Sequence, residues 1–346
     1  MSCKNNNELI IPFSNSEIAF SGRIDFSQEE AADIYWSGSS IKINFEGESI
    51  KALLKDESGD NYYNVILDND SISILRPSKV KQYHQLASGL SEGKHTIELF
   101  KRTEWDRGKT SFYGFKINSG AKLLSKSTPK NRKIEFYGNS ITAGFAIEDF
   151  SGKDSPDSTY TNNYLSYAAI TARHYDAKYK CICRSGIGIT VSWVPQIMPE
   201  IYDRLNPLDP NSKWVLSADE PDIVVVNLFQ NDTWLVNLPE HEEFKKRFGD
   251  NPPTEEEIIN AYQQFITNLR NNYPKANIIC TLGSMDAAKQ GSKWMEYIKL
   301  AVANLNDKKI QTYFMPYLKS EGHPTIEDQE IMAKNLIEFI DQNIEW

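Results

Sequence analysis

The sequence has little of several features that would assign it to particular classes of protein. Only 4 of its 346 residues are cysteine, and none stands in a CxxC motif or a Cys/His cluster, so neither a disulfide framework nor a zinc site is expected. No apolar run reaches the roughly 18 residues of a membrane-spanning helix. Lys and Arg number 38 against 47 Asp and Glu, and the resulting net charge of −9 argues against a nucleic-acid partner. We therefore expect no metal, no cofactor, no nucleic acid and no membrane span.

The composition is that of a folded chain. Hydrophobic residues make up 40% and charged residues 25%, close to the averages for folded domains, which argues against extended disorder. A length of 346 residues predicts two domains. Aromatic residues reach 12%, including 17 Tyr and 7 Trp, which is more than a core requires and is typical of surfaces that bind sugars.

The first seven residues have two interpretations. They lack the charged and apolar regions of a secretory signal. Cys3, followed by an Asn-rich stretch, nevertheless resembles the start of a bacterial lipoprotein after signal removal, with the lipid on Cys3. That interpretation predicts an extracytoplasmic location, at the cell surface or in the periplasm. The alternative is an ordinary polar N-terminus.

The first third of the chain has the pattern of an all-β domain. Residues 41–45 and 95–100 alternate between apolar and polar side chains, and short strand-like runs recur between Gly- and Asn-containing turns. This predicts an antiparallel β-sandwich of the jelly-roll type over residues 1–118. Residues 119–132 are polar and basic with one proline, which predicts a linker.

The apolar residues of the segment 133–346 recur with a different pattern. Apolar strand-like runs alternate with amphipathic helical patterns, which predicts an α/β domain with a parallel sheet covered on both faces. We expect strands within residues 134–137, 180–183, 223–227, 277–280 and 310–314, and helices over 163–175, 255–272, 293–305 and 325–344. The active site of such a sheet lies at the carboxyl ends of its strands.

Two residues at those strand ends can form a nucleophile and its base. Ser140 follows the first strand in Gly138-Asn139-Ser140, a context that can expose an activated hydroxyl, although it is also an ordinary turn. Of the 5 histidines, elimination leaves His323, because it follows the last strand and reaches the same edge. A surface histidine beside the helix-starting Pro324 is the alternative.

Two further residues at this edge can donate hydrogen bonds to an oxyanion. Asn231 follows the buried strand 223–227 and carries a side-chain amide. Gly186 follows the strand 180–183 and exposes a backbone N–H. Each can also be a loop or cap residue. However, four candidate residues (Ser140, Gly186, Asn231 and His323) occur in order, each after a predicted strand, and ordinary turns alone do not readily explain this.

These residues resemble the four blocks of the SGNH (GDSL-like) esterases. Gly138-Asn139-Ser140 matches the first block with Asn139 for the usual Asp, and Gly186 matches the second. The third block matches Phe229-Gln230-Asn231-Asp232, with Phe229 in place of Gly, and the fourth is His323-Pro324. The resemblance covers about residues 133–346 and implies a flavodoxin-like three-layer fold.

The order of the two halves is similar to carbohydrate esterase family two, the acetyl-xylan esterases with an N-terminal jelly roll. Residues 22–26 and 43–47 look like that family's first domain. The resemblance implies a serine esterase that removes O-acetyl groups from xylan, mannan or their oligosaccharides through an acetyl-enzyme. It implies Ser140 as nucleophile, His323 as base, and an oxyanion hole of the Ser140 and Gly186 backbone N–H groups with the Asn231 side chain.

One departure from the SGNH pattern concerns the third catalytic member. The acid usually stands three residues before the histidine, where this chain has Ser320. Glu321 is a candidate third member, but the resemblance to family two favours a Ser–His dyad whose imidazole is oriented by a main-chain carbonyl.

The tryptophans near the strand ends are candidates for a sugar platform, and buried packing is an equal alternative for each: Trp193, Trp234 and Trp294. Two other functions stay open. The altered positions Phe229 and Ser320 allow a carbohydrate-binding protein with a degenerate hydrolase half. An esterase or lipase of other small acyl esters is the third, although the polar, aromatic loops argue against a lipase.

Overall fold

The structure is a computed structural model that describes residues 8–318 and 322–346. The chain divides into two compact units, Met1–Pro129 and Lys130–Trp346. Cys3 and Glu321, which carry two of the sequence-based expectations, lie outside the described residues, as does Ser320.

In its described part, residues 8–129, the first unit consists mainly of short strands, and every strand pair there is antiparallel. They are β1 (Leu9–Pro12), β2 (Ala19–Ser21), β3 (Ile24–Asp25), β4 (Ala32–Ile34), β5 (Ser40–Glu46), β6 (Ser49–Asp56), β7 (Tyr63–Leu67), β8 (Ser71–Leu75), β9 (Gln82–Ser88), β10 (Lys94–Lys101), β11 (Thr110–Ile117) and β12 (Lys122–Leu123).

These strands form two sheets that share one core. The first has the order β3-β4-β11-β6-β9 with β1 also on β11, and the second has the order β12-β5-β10-β7-β8 with β2 also on β5. Alternate residues of β5 (Ile41, Ile43 and Phe45) are buried and meet Leu54 and Phe112 of the first sheet in a single apolar cluster. The period-two pattern of the sequence is thus the inner face of a sandwich, and the predicted fold class is confirmed.

The segment predicted as a linker is partly built into this unit. Lys122 and Leu123 pair with Glu46 and Phe45 at the edge of the second sheet. The Asn44 side chain then donates a hydrogen bond to the carbonyl of Ser125 at 2.9 Å. Polar composition suggested free chain, but a polar segment can satisfy its backbone groups on an edge strand.

The second unit alternates strands and helices. Its strands are β13 (Lys133–Gly138), β14 (Lys178–Cys183), β15 (Ile223–Asn227), β16 (Asn277–Leu282) and β17 (Ile310–Phe314). Its helices are α1 (Ser140–Ala143), α2 (Tyr167–His174), α3 (Met198–Ile201), α4 (Gln230–Leu235), α5 (Glu242–Phe248), α6 (Glu255–Asn272), α7 (Lys293–Leu305) and α8 (Ile326–Asn343).

The five strands form one parallel sheet in the order β14-β13-β15-β16-β17. Every residue of β15 is buried, as expected for the middle strand of a covered sheet. Helix α2 packs on β13 and β14 and against α8, while α7 packs on β16 and β17 and against α6. The predicted α/β class is therefore confirmed as well.

The register of the strands brings their carboxyl ends to one level. Gly138 at the end of β13 pairs with Cys183 of β14 on one side and with Asn227 of β15 on the other. Asn227 in turn pairs with Thr281 of β16. The loops that follow these strands therefore leave the sheet side by side.

Three further observations concern cysteines, membrane-spanning helices and metal-binding clusters. Cys181, Cys183 and Cys280 are buried thiols, and the sulfur atoms of Cys181 and Cys183 lie 3.3 Å apart. Over residues 8–318 and 322–346, no helix is both long and apolar enough to cross a membrane. The same residues contain no cluster of His, Cys, Asp or Glu side chains suited to a metal ion.

Candidate active site

Ser140 is fixed at the junction of a strand and a helix. Strand β13 ends at Gly138, and α1 starts at Ser140 with Asn139 as its cap, whose Oδ1 accepts a hydrogen bond from the Ile141 N–H at 3.0 Å. Gly138 has no room for a side chain, since a Cβ there would lie 2.0 Å from Oγ1 of Thr142. The serine is therefore held directly above the end of a central strand.

His323 reaches Ser140 from the far side of the unit. Its Nε2 lies 2.8 Å from the Ser140 Oγ, a hydrogen-bond distance. The ring packs against Phe145, with ring centroids 4.8 Å apart. The structure thus brings together the serine and the histidine that sequence position had singled out.

The partner of the other imidazole nitrogen is Asp154. Nδ1 of His323 lies 2.9 Å from its Oδ2, and the His323 backbone N–H donates to both carboxylate oxygens at 3.1 and 3.0 Å. Gly322 allows this approach, because a Cβ on it would lie 2.5 Å from the same Oδ2. The expectation of a main-chain carbonyl at Nδ1 was wrong: a carboxylate occupies that position.

The hydrogen bonds to Asp154 favour its ionised form, and this selects one tautomer of a neutral His323 imidazole. The hydrogen bond from the His323 side chain, with that from its backbone N–H, holds the pKa of Asp154 below its usual value. An ionised carboxylate can only accept, so Nδ1 carries the proton. Nε2 then presents its lone pair to the serine hydroxyl, which is the arrangement a general base needs.

Sequence reasoning missed Asp154 because it lies far from the histidine in the chain. It belongs to the loop between α1 and α2, and 169 positions separate it from His323. The available signal was indirect: Ser320 cannot supply the acid, and the polar loop after the serine block contains several aspartates. Asp154 adopts φ of 52°, a left-handed conformation that aspartate tolerates better than most residues.

Gly186 lies in the loop after β14 and Asn231 lies in α4, and this loop contacts the start of that helix. Gly186 follows β14 with φ of +82°, and its carbonyl accepts a hydrogen bond from the Trp193 N–H at 2.8 Å. Asn231, in the first turn of α4, donates one side-chain N–H to the Ile187 carbonyl at 2.7 Å. An amide has two such hydrogens, so the second stays available for another acceptor.

Phe229 occupies the position where the SGNH block has glycine. Its φ is +88°, in the region that glycine adopts without cost, which explains the usual residue. The ring is fully buried and packs against Tyr262 and Trp294, with centroids 4.8 and 5.0 Å away. The aromatic packing compensates for a backbone conformation that costs on the order of 1–3 kcal/mol.

The three tryptophans proposed as a sugar platform differ in exposure. Trp193 is 42% exposed, and its ring meets His241 edge to face. Trp234 and Trp294 are half-buried, and Trp294 packs on Phe229. Another aromatic, Phe150, is 86% exposed on the loop that carries Asp154. Among the described aromatic residues of the second unit, only Trp193 and Phe150 are exposed.

Comparisons with known proteins agree with this architecture. A family model described as "Carbohydrate esterase 2 N-terminal" matches residues 20–126. The chain is 33% identical to the cellulase/esterase CelE of Acetivibrio thermocellus over 343 residues, which is 96% of this chain and 40% of that protein. It is 24% identical to an acetylxylan esterase / glucomannan deacetylase of Cellvibrio japonicus, over 99% of this chain and 95% of that one. The chain thus spans well under half of CelE but nearly all of the second relative.

Solved structures cover both units. A family two carbohydrate esterase from Clostridium thermocellum in complex with cellohexaose is 32% identical, with a TM-score of 0.83 over 94% of this chain and 98% of that one. A family two carbohydrate esterase from Cellvibrio japonicus is 22% identical, with a TM-score of 0.86 over 97% and 98% of the two chains.

Proposed function

This chain belongs to carbohydrate esterase family two, and we propose that it is a serine esterase that removes O-acetyl groups from carbohydrate. The observation that supports this most directly is the line of hydrogen bonds from the Ser140 hydroxyl through the His323 imidazole to the Asp154 carboxylate. This arrangement lowers the barrier to attack by a hydroxyl, which is a weak nucleophile on its own.

In the first half of the proposed reaction, the enzyme takes the acetyl group. The Ser140 Oγ attacks the acetyl carbonyl carbon, and its proton passes to Nε2 of His323. Asp154 stabilises the imidazolium that forms. The carbonyl oxygen becomes an oxyanion and accepts hydrogen bonds from the backbone N–H groups of Ser140 and Gly186 and from the Asn231 side chain. As the C–O bond to the sugar breaks, Nε2 returns the proton to the departing sugar oxygen.

In the second half, water removes the acetyl group. His323 takes a proton from the water as its oxygen attacks the ester carbonyl of acetyl-Ser140. The same oxyanion donors stabilise the second tetrahedral intermediate. Collapse releases acetate and returns the proton from Nε2 to the Ser140 Oγ. Each oxyanion donor is worth roughly 100- to 1,000-fold in rate, so the three account for a large part of the catalysis.

The proposed substrate is an acetylated plant polysaccharide such as xylan, mannan or glucomannan, or an oligosaccharide derived from one. Two relatives from Cellvibrio japonicus are named acetylxylan esterase / glucomannan deacetylase, and one solved relative binds cellohexaose. Trp193 and Phe150 support a saccharide partner, because exposed aromatic rings provide flat apolar faces for stacking, and both lie on loops that carry site residues.

A polymeric substrate also bears on location. A polysaccharide does not cross a bilayer unaided, so we propose that the enzyme acts outside the cytoplasm, at the cell surface or in the periplasm. A lipid on Cys3 would hold it there; mass spectrometry of the protein recovered from membranes of its host tests that modification. The alternative function, a carbohydrate-binding protein with a degenerate hydrolase half, is disfavoured by the complete hydrogen-bond line at Ser140.

Hydrolysis of p-nitrophenyl acetate and release of acetate from acetylated xylan test the proposal. Ser140→Ala and His323→Ala should each reduce turnover to near background, and the double variant should be little worse than either, because the two residues act as one unit. His174→Ala, which removes an exposed histidine at the end of α2, is the control and should keep full activity. Substantial turnover by Ser140→Ala would exclude the nucleophile assignment.

A further inference from the structure

Asp232 is a fully buried carboxylate beside the proposed site that the mechanism above does not use. We infer that it is a positioning residue for the oxyanion hole, and that it holds the loop of Gly186 in register with Asn231. The inference rests on the proposed esterase function. It goes beyond that function by assigning a role to a residue that contacts neither the substrate nor His323.

The carboxylate of Asp232 is 0% exposed, and its hydrogen bonds to the described part of the chain come from one short stretch, residues 189–191. Oδ1 lies 2.7 Å from both the backbone N and the Oγ1 of Thr190. The Ile189 N–H lies 3.1 Å from each carboxylate oxygen, and the Val191 N–H lies 3.4 Å from Oδ1. One carboxylate thus accepts hydrogen bonds from three consecutive backbone N–H groups.

Those N–H groups need a buried acceptor. Ile189 and Val191 are almost completely buried, and an unpaired buried backbone donor costs on the order of 1–3 kcal/mol. The three donors converge on one place, and a carboxylate with several lone pairs can accept hydrogen bonds from all of them. The shape of the loop therefore depends on this one side chain.

Asp232 and Asn231 are neighbours in α4, and both bind the same loop. Asn231 donates to the Ile187 carbonyl at 2.7 Å, while Asp232 accepts from residues 189–191. Gly186, whose backbone N–H is another of the proposed donors, lies just before this anchored segment. The two hydrogen-bonded connections thus fix the distance between the backbone donor Gly186 on the loop and the side-chain donor Asn231 on α4.

Gly188 shows how closely the two parts fit. A Cβ on Gly188 would lie 2.4 Å from Oδ2 of Asp232 and 2.0 Å from the Val191 carbonyl oxygen. Only glycine allows the loop to fold over the carboxylate at this distance. The close packing of the loop on the Asp232 carboxylate therefore requires glycine at position 188.

The test compares ground-state binding with transition-state binding in Asp232→Asn. The amide keeps the size of the side chain but loses the negative charge, and its NH₂ meets N–H donors. We expect kcat on p-nitrophenyl acetate to fall on the order of 10- to 100-fold while KM changes less than about threefold, because an oxyanion exists only in the transition state. Affinity for 1,1,1-trifluoroacetone, which adds Ser140 to give a tetrahedral oxyanion, should fall in parallel with kcat/KM.

Glu135→Gln is the matched control. Glu135, in β13, is also a fully buried carboxylate of the second unit. It accepts hydrogen bonds from Tyr137 in the same strand and from Tyr273 at the end of α6. Its loss should lower Tm without changing affinity for the trifluoromethyl ketone. Assays well below the Tm of both variants separate a loss of positioning from a loss of folded protein.

The outcomes are distinguishable. If Asp232→Asn loses stability but keeps wild-type kcat and ketone affinity, the positioning role is excluded while the esterase function stands. If Asp232→Asn does not fold, Thr190→Val replaces it, since this variant removes one 2.7 Å donor to Oδ1 and should lower kcat and ketone affinity several-fold. An unchanged Thr190→Val would then overturn the inference. A wild-type protein without esterase activity would overturn the proposed function instead.

Discussion

The Nδ1 atom of His323 lies 2.9 Å from the carboxylate of Asp154, a residue 169 positions earlier in the chain. The acid and Ser140 thus belong to neighbouring parts of one segment after β13, while the histidine comes from the loop after β17. The SGNH pattern instead places the acid beside the histidine. In this chain the acid lies on the same segment as the serine, and the histidine alone comes from the other segment.

Asp154→Asn should lower kcat on p-nitrophenyl acetate by roughly 100- to 10,000-fold with little change in KM. The amide cannot stabilise the imidazolium, and loss of the corresponding Asp in serine-protease triads costs about 10⁴ in kcat. Steady-state kinetics with circular dichroism to confirm folding provide the measurement.

Glu321→Gln is the comparison for that variant. Glu321 was the acid named from the sequence, and with Asp154 at Nδ1 we expect its loss to reduce kcat less than roughly tenfold, or under about 1.4 kcal/mol. The opposite ranking, with Glu321→Gln inactive and Asp154→Asn active, would assign the orienting role to Glu321.

Phe229→Gly should be more stable than Phe229→Ala, and both should be less stable than wild type. Loss of the buried ring costs about 3–5 kcal/mol, which exceeds the strain of its positive φ. Glycine removes that strain and alanine keeps it, so we expect a gap of about 1 kcal/mol in favour of glycine. At ordinary helix or strand positions the order is reversed. Thermal unfolding of the three proteins gives the ranking, and an alanine variant as stable as the glycine variant would show that φ is not strained.

Phe150→Ala and Trp193→Ala should raise KM for acetylated xylan or glucomannan several-fold and leave p-nitrophenyl acetate hydrolysis near wild type. Both rings are exposed, so truncation should lose stacking on sugar rather than core packing. Leu300→Ala, at an exposed apolar position on α7, is the control. Equal effects on the small and the polymeric ester would argue against a saccharide platform.

His95 should make the stability of the β-sandwich depend on pH. Nε2 lies 3.0 Å from the Ser91 carbonyl and Nδ1 lies 2.8 Å from Asp68, so both ring nitrogens face acceptors and the pKa of His95 is raised, first by the carbonyl and then by the carboxylate. A raised folded-state pKa contributes stability that is complete below the unfolded pKa of about 6.5 and is lost as pH rises through the folded value.

The Tm difference between wild type and His95→Gln should therefore be largest near pH 5.5 and shrink toward pH 8.5. Differential scanning calorimetry across this range follows the transition in the full chain. A difference that grows with pH would show that the ring is held neutral.

The patterns that repeat along the chain predicted the fold well. Helix α6 has the predicted bounds because Thr254 and Glu257 form a capping box and the apolar residues recur at helical spacing. Strand β17 was predicted with the bounds that the structure shows, Ile310–Phe314. The short β12 was missed, since two residues within a polar segment are too few to show an alternating pattern.

The site was predictable only where a residue adjoins a recognisable strand end. Ser140 follows β13 directly, and His323 lies in the connection between β17 and α8, so topology alone brings both to one edge. Asp154 lies inside a long irregular loop, whose path no local pattern encodes. The different burial of Trp193 and Trp294 likewise depends on tertiary packing, because Trp294 packs against the ring of Phe229 and Trp193 does not.

The strand order has a consequence for how activity is acquired during folding. Ser140 follows the second strand of the sheet and His323 follows the strand at the far edge, with β15 and β16 between them. Parallel pairings form slowly because they close long loops before they gain contacts. Ester hydrolysis in a refolding experiment therefore reports completion of all these pairings, and it should return after the local helices, such as α6, have formed.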